Sequence, residues 1–162
     1  MNFKAVIANL SLLLIVRSVG AATVQTSQFH VALTLQADCS ITSSVLSFGA
    51  QGVFSNAINQ SAALNVTCSN AAPYSIGLDA GNVAGSTVDG RLLESTTGDT
   101  VKFQLYKDAS RSQIWGNTAG VNALTGVGNG AMQVVPVYGQ IGAQGQPTSG
   151  SYSATVTATV SF

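Results

Sequence analysis

The sequence has 162 residues, enough for one domain and a short appendage. Only 7% are Asp, Glu, Lys or Arg, against roughly 25% in an average soluble protein, and the formal net charge is zero. With a single glutamate (Glu94) and three lysines, the usual residues of helix surfaces are scarce, which excludes a helical bundle or coiled coil. No basic cluster is present, which excludes nucleic acid. Apolar residues make up 46% of the chain, which excludes disorder driven by charge. What remains abundant is Gly, Ser, Thr, Ala and Val, the vocabulary of short strands and polar turns.

Residues 1–22 have the organisation of a signal peptide. Lys4 supplies the positive start, Ala5–Val16 is apolar except for Asn9 and Ser11, and Val19–Ala22 offers small residues, with cleavage expected after Ala21 or Ala22. The apolar run is too short for a transmembrane helix, which needs about 20 residues. The exported remainder carries two cysteines, Cys39 and Cys68. An even count in an oxidising compartment reads as a disulfide, here joining the first core strand to the second.

Gln28–Ala37 alternates strictly, with Phe29, Val31, Leu33, Leu35 and Ala37 on one face and His30, Ala32, Thr34 and Gln36 on the other. That pattern predicts a half-buried strand. Asp38–Thr42 is a second short extended piece, and a loop follows to Gln60. Ser61–Ser69 alternates again, with Ala62, Leu64, Val66 and Cys68 inward. Pro73–Asp79 sets Tyr74, Ile76 and Leu78 on one side. Arg91–Glu94 reads as a short strand, and Thr100–Tyr106 places Val101, Phe103 and Leu105 together. Gly116, Asn117 and Gly120, then Gly126, Gly128, Asn129 and Gly130, read as chain breaks. Met132–Ile141 is a strand interrupted by Pro136, which implies an edge or a bulge. Tyr152–Phe162 alternates for eleven residues, Ser and Thr opposite Tyr152, Ala154, Val156, Ala158, Val160 and Phe162. About eight short strands with polar turns predict an all-β, immunoglobulin-like β-sandwich.

The chemistry of an enzyme is not apparent. The sole histidine, His30, has no carboxylate near it in sequence before Asp38, and it falls on the polar side of its strand. The six acids sit mostly at turns, where Asp is common. Metal ligands and a strand-to-helix phosphate cradle are both wanting, so no cofactor and no metal are expected. Topology is the feature that asks for a function. In an immunoglobulin-type sandwich, a final strand with nothing after it is expected to leave the sheet one strand short. A neighbour's N-terminal strand would complete it, or the chain's own N-terminal strand folds back; periodicity does not separate the two.

These residues together resemble the spore coat protein U family, whose members include subunits of archaic (Csu-type) chaperone–usher pili. The likeness runs through Cys39-Ser-Ile41, Ser47-Phe-Gly49, Leu64–Ser69, Pro73–Gly81, Arg91-Leu92, Phe103–Ala109, Trp115-Gly116, Val135–Ile141 and Gly150–Phe162. It departs at Ala154, where relatives often carry Asp. The resemblance implies an incomplete sandwich over residues 38–162, preceded by a donor-strand segment over 23–37. Phe29, Val31, Leu33 and Leu35 would be the donor residues. Val156, Ala158, Val160 and Phe162 would line the groove and anchor a chaperone. The implied partners are a periplasmic chaperone, an outer-membrane usher and neighbouring pilus subunits, and the implied location is the cell surface. The implied function is a structural pilus subunit, supporting adhesion and biofilm formation. The alternatives are a spore-coat or outer-envelope protein of the same fold, and a small outer-membrane barrel, against which the 11 aromatics of the chain are too few for two girdles.

Overall fold

Alternating apolar residues build nine strands, and among the residues described by this computed structural model, 20–52 and 54–162, there is no helix. The strands are β1 (Cys39–Ser43), β2 (Ile58–Cys68), β3 (Pro73–Leu78), β4 (Arg91–Ser95) and β5 (Thr100–Tyr106). They continue as β6 (Leu124–Val127), β7 (Met132–Ile141), β8 (Tyr152–Ser153) and β9 (Ala158–Ser161). The chain divides into an N-terminal unit that ends at Thr34 and a β unit from Leu35 to Phe162. Nearly all of the expected leader, residues 1–22, lies outside the described residues.

Every pairing is antiparallel. One sheet has six strands in the order β1-β2-β7-β5-β4-β8, and the other has three in the order β6-β3-β9. The inward rows pack between the sheets, as side-chain alternation requires. They are Leu64, Val66 and Cys68 of β2, Tyr74, Ile76 and Leu78 of β3, Val101, Phe103 and Leu105 of β5, and Val137 and Ile141 of β7. Trp115 is wholly buried. It staples the sheets, its backbone N–H donating to the Leu105 carbonyl at 2.9 Å and its indole N–H to the Ile76 carbonyl at 2.8 Å. The fold is therefore an immunoglobulin-like sandwich, and two sheets with open edges are not a closed barrel. That removes the outer-membrane barrel.

Cys39 and Cys68 are bonded to each other and are also direct cross-strand partners in the β1–β2 ladder. The bridge thus joins the first core strand to the second. Closing a loop of about 30 residues contributes roughly 3–4 kcal/mol in the chain-entropy account.

Four expectations need correction. Gln28–Ala37 belongs to no strand, and Phe29, Val31, Leu33 and Leu35 are 87%, 78%, 82% and 85% exposed. A strand requires a ladder partner, and alternation names a face without supplying one. The second correction concerns the Gly126 region, which is strand β6 and not a break. Gly126 stands opposite Tyr74, and a Cβ at Gly126 would lie 2.4 Å from the tyrosine ring, so the glycine is what lets that ring cross the strand. Third, β2 begins at Ile58, inside the expected loop.

Fourth, Tyr152–Phe162 is not one strand. β8 pairs with β4 in the larger sheet and β9 with β3 in the smaller, so the segment crosses between sheets. Its burial still alternates without a fault from Tyr152 to Ser161. Pro136 is accommodated as an edge residue although β7 is central. β5 pairs only with Tyr138–Gln140 of β7, and Ala63, opposite Pro136, turns its backbone toward Ser44. The N–H that proline lacks therefore falls on an unpaired side.

Candidate functional site

The sandwich is open between the chain that follows β1 and residues 146–158. A groove of about 1240 Å³ runs there, well above the largest ordinary small-molecule pockets of roughly 1,000 Å³. The groove is open to solvent along its length yet floored by core residues, so it marks a place where the core is left uncovered. Its floor is Leu64, Val101, Phe103, Leu105, Val137 and Ile141, with Leu78 from the smaller sheet.

One wall is the chain after β1. Ile41 leads into Leu46 and Phe48, which pack against the core from a stretch without ladder pairing. Gly139 makes this possible, because a Cβ there would lie 2.6 Å from Leu46 Cδ2 and 3.1 Å from Phe48 Cζ. The Phe48 ring then meets Phe103 edge-on, with centroids 6.4 Å apart. The opposite wall is Gln146–Ala158. A tie secures the start of this wall. Asp99, in the β4–β5 turn, accepts hydrogen bonds from the Thr97 and Thr148 hydroxyls, and Tyr152 donates its hydroxyl to the Thr148 carbonyl at 2.7 Å. These bonds, the one from Thr148 foremost, hold the Asp99 carboxyl below its ordinary value.

The rim facing the groove is polarised by sequence parity. Thr155 and Thr157 turn their backbone groups toward residues 79–82, with Asp79 N–H donating to the Thr157 carbonyl and Asn82 N–H to the Thr155 carbonyl, both at 3.1 Å. In an extended chain the backbone groups of Ala154, Val156 and Ala158 then point the other way, along the open edge. Their side chains pack inward.

Beneath this wall lies Arg91, at 0% exposure. All five of its N–H donors are used. Nε reaches the Asp79 carbonyl at 2.9 Å, one terminal nitrogen reaches Val88 O and Gln104 Oε1, and the other reaches Leu78 O and Trp115 O. Burial pushes its pKa down to about 10, against the pull of Asp79 and Asp89. The group is therefore charged at neutral pH.

The structure places the residues singled out in the sequence as follows. Val156 and Ala158 line the groove. Val160 packs on the core beyond it, and Phe162 is 58% exposed outside it. Phe29, Val31 and Leu33 in the N-terminal unit, with Leu35 at the start of the β unit, form an exposed row, and His30 is exposed beside them. Sequence reasoning missed Leu46 and Phe48, which it left in a loop, and it missed Arg91. A usable signal for Arg91 was parity: Leu93 and Arg91 stand opposite Val101 and Phe103, both inward.

An all-β sandwich with a strand-sized apolar groove along one open edge defines the pilin-type class of subunit folds. Comparison with known proteins agrees. The family model of the Spore Coat Protein U domain matches residues 25–159, and the chain belongs to that family. It is 36% identical over 72 residues to Protein U of Myxococcus xanthus, covering 44% of this chain and 40% of that protein. Among solved structures it is similar to the CsuC–CsuE chaperone–tip adhesion subunit pre-assembly complex from archaic chaperone–usher Csu pili of Acinetobacter baumannii. That match has a TM-score of 0.57 and 24% identity, and covers 80% of this chain and 40% of that one. The chain thus spans well under half the length of both.

Proposed function

We propose that this chain is a structural subunit of a surface pilus, exported through the periplasm and assembled by the chaperone–usher route through donor-strand complementation. The observation that carries this reading is the apolar groove along an unpaired edge, in a chain that also presents an unpartnered row of alternating apolar residues. An exposed apolar edge invites aggregation, so such a domain needs an occupant from export onward. A periplasmic chaperone would be the first occupant, in keeping with the chaperone–subunit complex to which the fold is similar. At an outer-membrane usher, the row Phe29, Val31, Leu33 and Leu35 of the next copy would replace it. Four such side chains, each worth roughly 1.5–3 kcal/mol when buried, plus a main-chain ladder, make a joint that opens slowly. Fibres of this kind would serve adhesion and biofilm formation.

The test is Leu33→Asp in the producing cell, scored by negative-stain microscopy for fibres and by non-reducing gels for the disulfide-bonded subunit. Fibres should vanish while the folded subunit persists, because a buried unpaired carboxylate is costly in the joint and Leu33 is exposed in the free chain. Normal fibres would overturn the reading. The similarity to Protein U favours a second reading, a coat or outer-envelope protein of the same fold. A surface layer without fibres in the wild type would select it.

A further inference from the structure

The ladder between β3 and β9 ends at the pair Leu78–Ala158. In a regular antiparallel ladder the next hydrogen-bonded pair, Asp79 and Thr157, would exchange two main-chain bonds. One of them forms, from Asp79 N–H to the Thr157 carbonyl. The other does not form: the Asp79 carbonyl instead accepts from Arg91 Nε at 2.9 Å. The Asp79 side chain stands in for it, with Thr157 N–H donating to Asp79 Oδ1 at 2.8 Å. Two residues on, the substitution repeats. Asn82 N–H donates to the Thr155 carbonyl, and Thr155 N–H donates to Asn82 Oδ1 at 2.7 Å. Between them Gly81, at φ 92°, turns the chain, and its N–H donates to Asp79 Oδ1 at 2.9 Å.

We propose that Asp79 and Asn82 are positioning residues for strand capture: their side chains replace a ladder strand, holding Thr155 and Thr157 extended so that the edge of Ala154, Val156 and Ala158 is preset for an incoming strand. This rests on the reading of the groove as a strand acceptor. The side chain stands in because the Asp79 carbonyl is directed to Arg91 and not to Thr157, and because the turn at Gly81 carries the main chain away. A rim fixed beforehand need not be ordered during capture, so it raises affinity without adding a contact to the ligand. Both side chains act from the face of the rim turned away from the groove, where no donor strand would touch them.

The test uses the full exported chain carrying Leu33→Asp, so that its own apolar row is disabled, and a labelled synthetic peptide of residues 28–37 as the probe. Asp79→Ala with Asn82→Ala should weaken peptide binding by about tenfold or more while the Cys39–Cys68 bridge stays formed. Hydrogen exchange should speed up at the Thr155 and Thr157 amides and stay slow in the β3–β9 ladder. Asp79→Asn keeps an acceptor oxygen at the same place and should restore both readings. Parent-like binding by the double variant, or unchanged exchange at Thr155 and Thr157, would overturn the proposal. So would a loss of ladder protection that Asp79→Asn fails to rescue, since that would make Asp79 a general support of the fold. If the double variant does not fold, the single Asn82→Ala, at an exposed position, decides by the same two measurements. Failure of the parent to bind the peptide would count against the acceptor reading, and exchange at Thr155 and Thr157 would still decide who holds the rim.

Discussion

Tyr152–Phe162 and Gln28–Ala37 are written in the same style, apolar and polar residues taking turns for about ten positions. The first is held on one side by β3, Asp79 and Asn82, and its inward row is half-buried from Tyr152 to Val160. The second has no ladder, and its apolar row stands in solvent. Hydrophobic period therefore specifies which residues share a face and says nothing of who covers it. Partner groups decide that, and in the C-terminal segment they are identifiable one by one.

The severest way to break the held segment goes through Arg91. Replacing it with Met keeps most of the volume and strands the carbonyls of Leu78, Asp79 and Trp115, while Val88 O keeps the Gln104 amide at 3.0 Å. Buried acceptors left unpaired cost about 1–3 kcal/mol each, so Arg91→Met should destabilise the β unit by roughly 4 kcal/mol or more. Denaturant titration of the exported protein would measure it. Arg91→Lys should recover only part, since an ammonium has three donors on one centre and the site uses a planar fork. A near-neutral Arg91→Met would mean that the carbonyls find water.

Next in size is the bridge. Removing Cys39 and Cys68 together should cost about 2–5 kcal/mol and leave the protein prone to degradation. The bridge pins β1, the strand that leads into the Leu46–Phe48 wall, so its loss should also weaken capture of a residue 28–37 peptide. Non-reduced peptide mapping of exported protein checks the starting state.

The direct comparison of the two segments is a pair of matched charges. Val156→Asp places a carboxylate on the half-buried row of the groove and should lower stability by about 1–3 kcal/mol as well as blocking strand capture. Leu33→Asp, on the exposed row, should leave the unfolding midpoint of the single chain unchanged. Equal losses from both variants would show that the N-terminal row has a partner within its own chain.

Most of the strand framework was legible because inward residues recur at every second position, as in Tyr74-Ile76-Leu78 and Val101-Phe103-Leu105. Strand β6 was not, because Gly126 looks like a chain break until the Tyr74 ring is seen lying against it. The groove was half legible: Val156 and Ala158 follow from parity, whereas Leu46 and Phe48 depend on the notch at Gly139, on a strand far away in sequence. Asp79 and Asn82 read in sequence as ordinary turn formers. Their part as surrogate rungs depends on where Arg91 sends its guanidinium, which no local pattern encodes.

The smallest effect concerns acid, and it distinguishes the two segments by where a titrating tie sits. Asp99 anchors the start of the held segment through Thr148, which in turn receives the Tyr152 hydroxyl. Hydrogen bonds from Thr148 and Thr97 keep its folded pKa below the unfolded value of 3.8. A depressed carboxylate contributes stability that is fully present above the unfolded value and is lost as pH falls through the folded one. Acidification from about pH 5 to below pH 3 should therefore loosen the Thr148–Tyr152 end. Thermal midpoints across that range should fall slightly less steeply in Asp99→Asn than in the wild type, the difference being small because the group is exposed to solvent. Asp108 is a necessary control. Its carboxyl is also depressed, by bonds from Ser110, Ser112 and Gln113 within its own loop, so Asp108→Asn should flatten the same curve without changing peptide capture. Acid sensitivity of capture that survives Asp99→Asn and disappears in Asp108→Asn would assign the tie to the wrong loop.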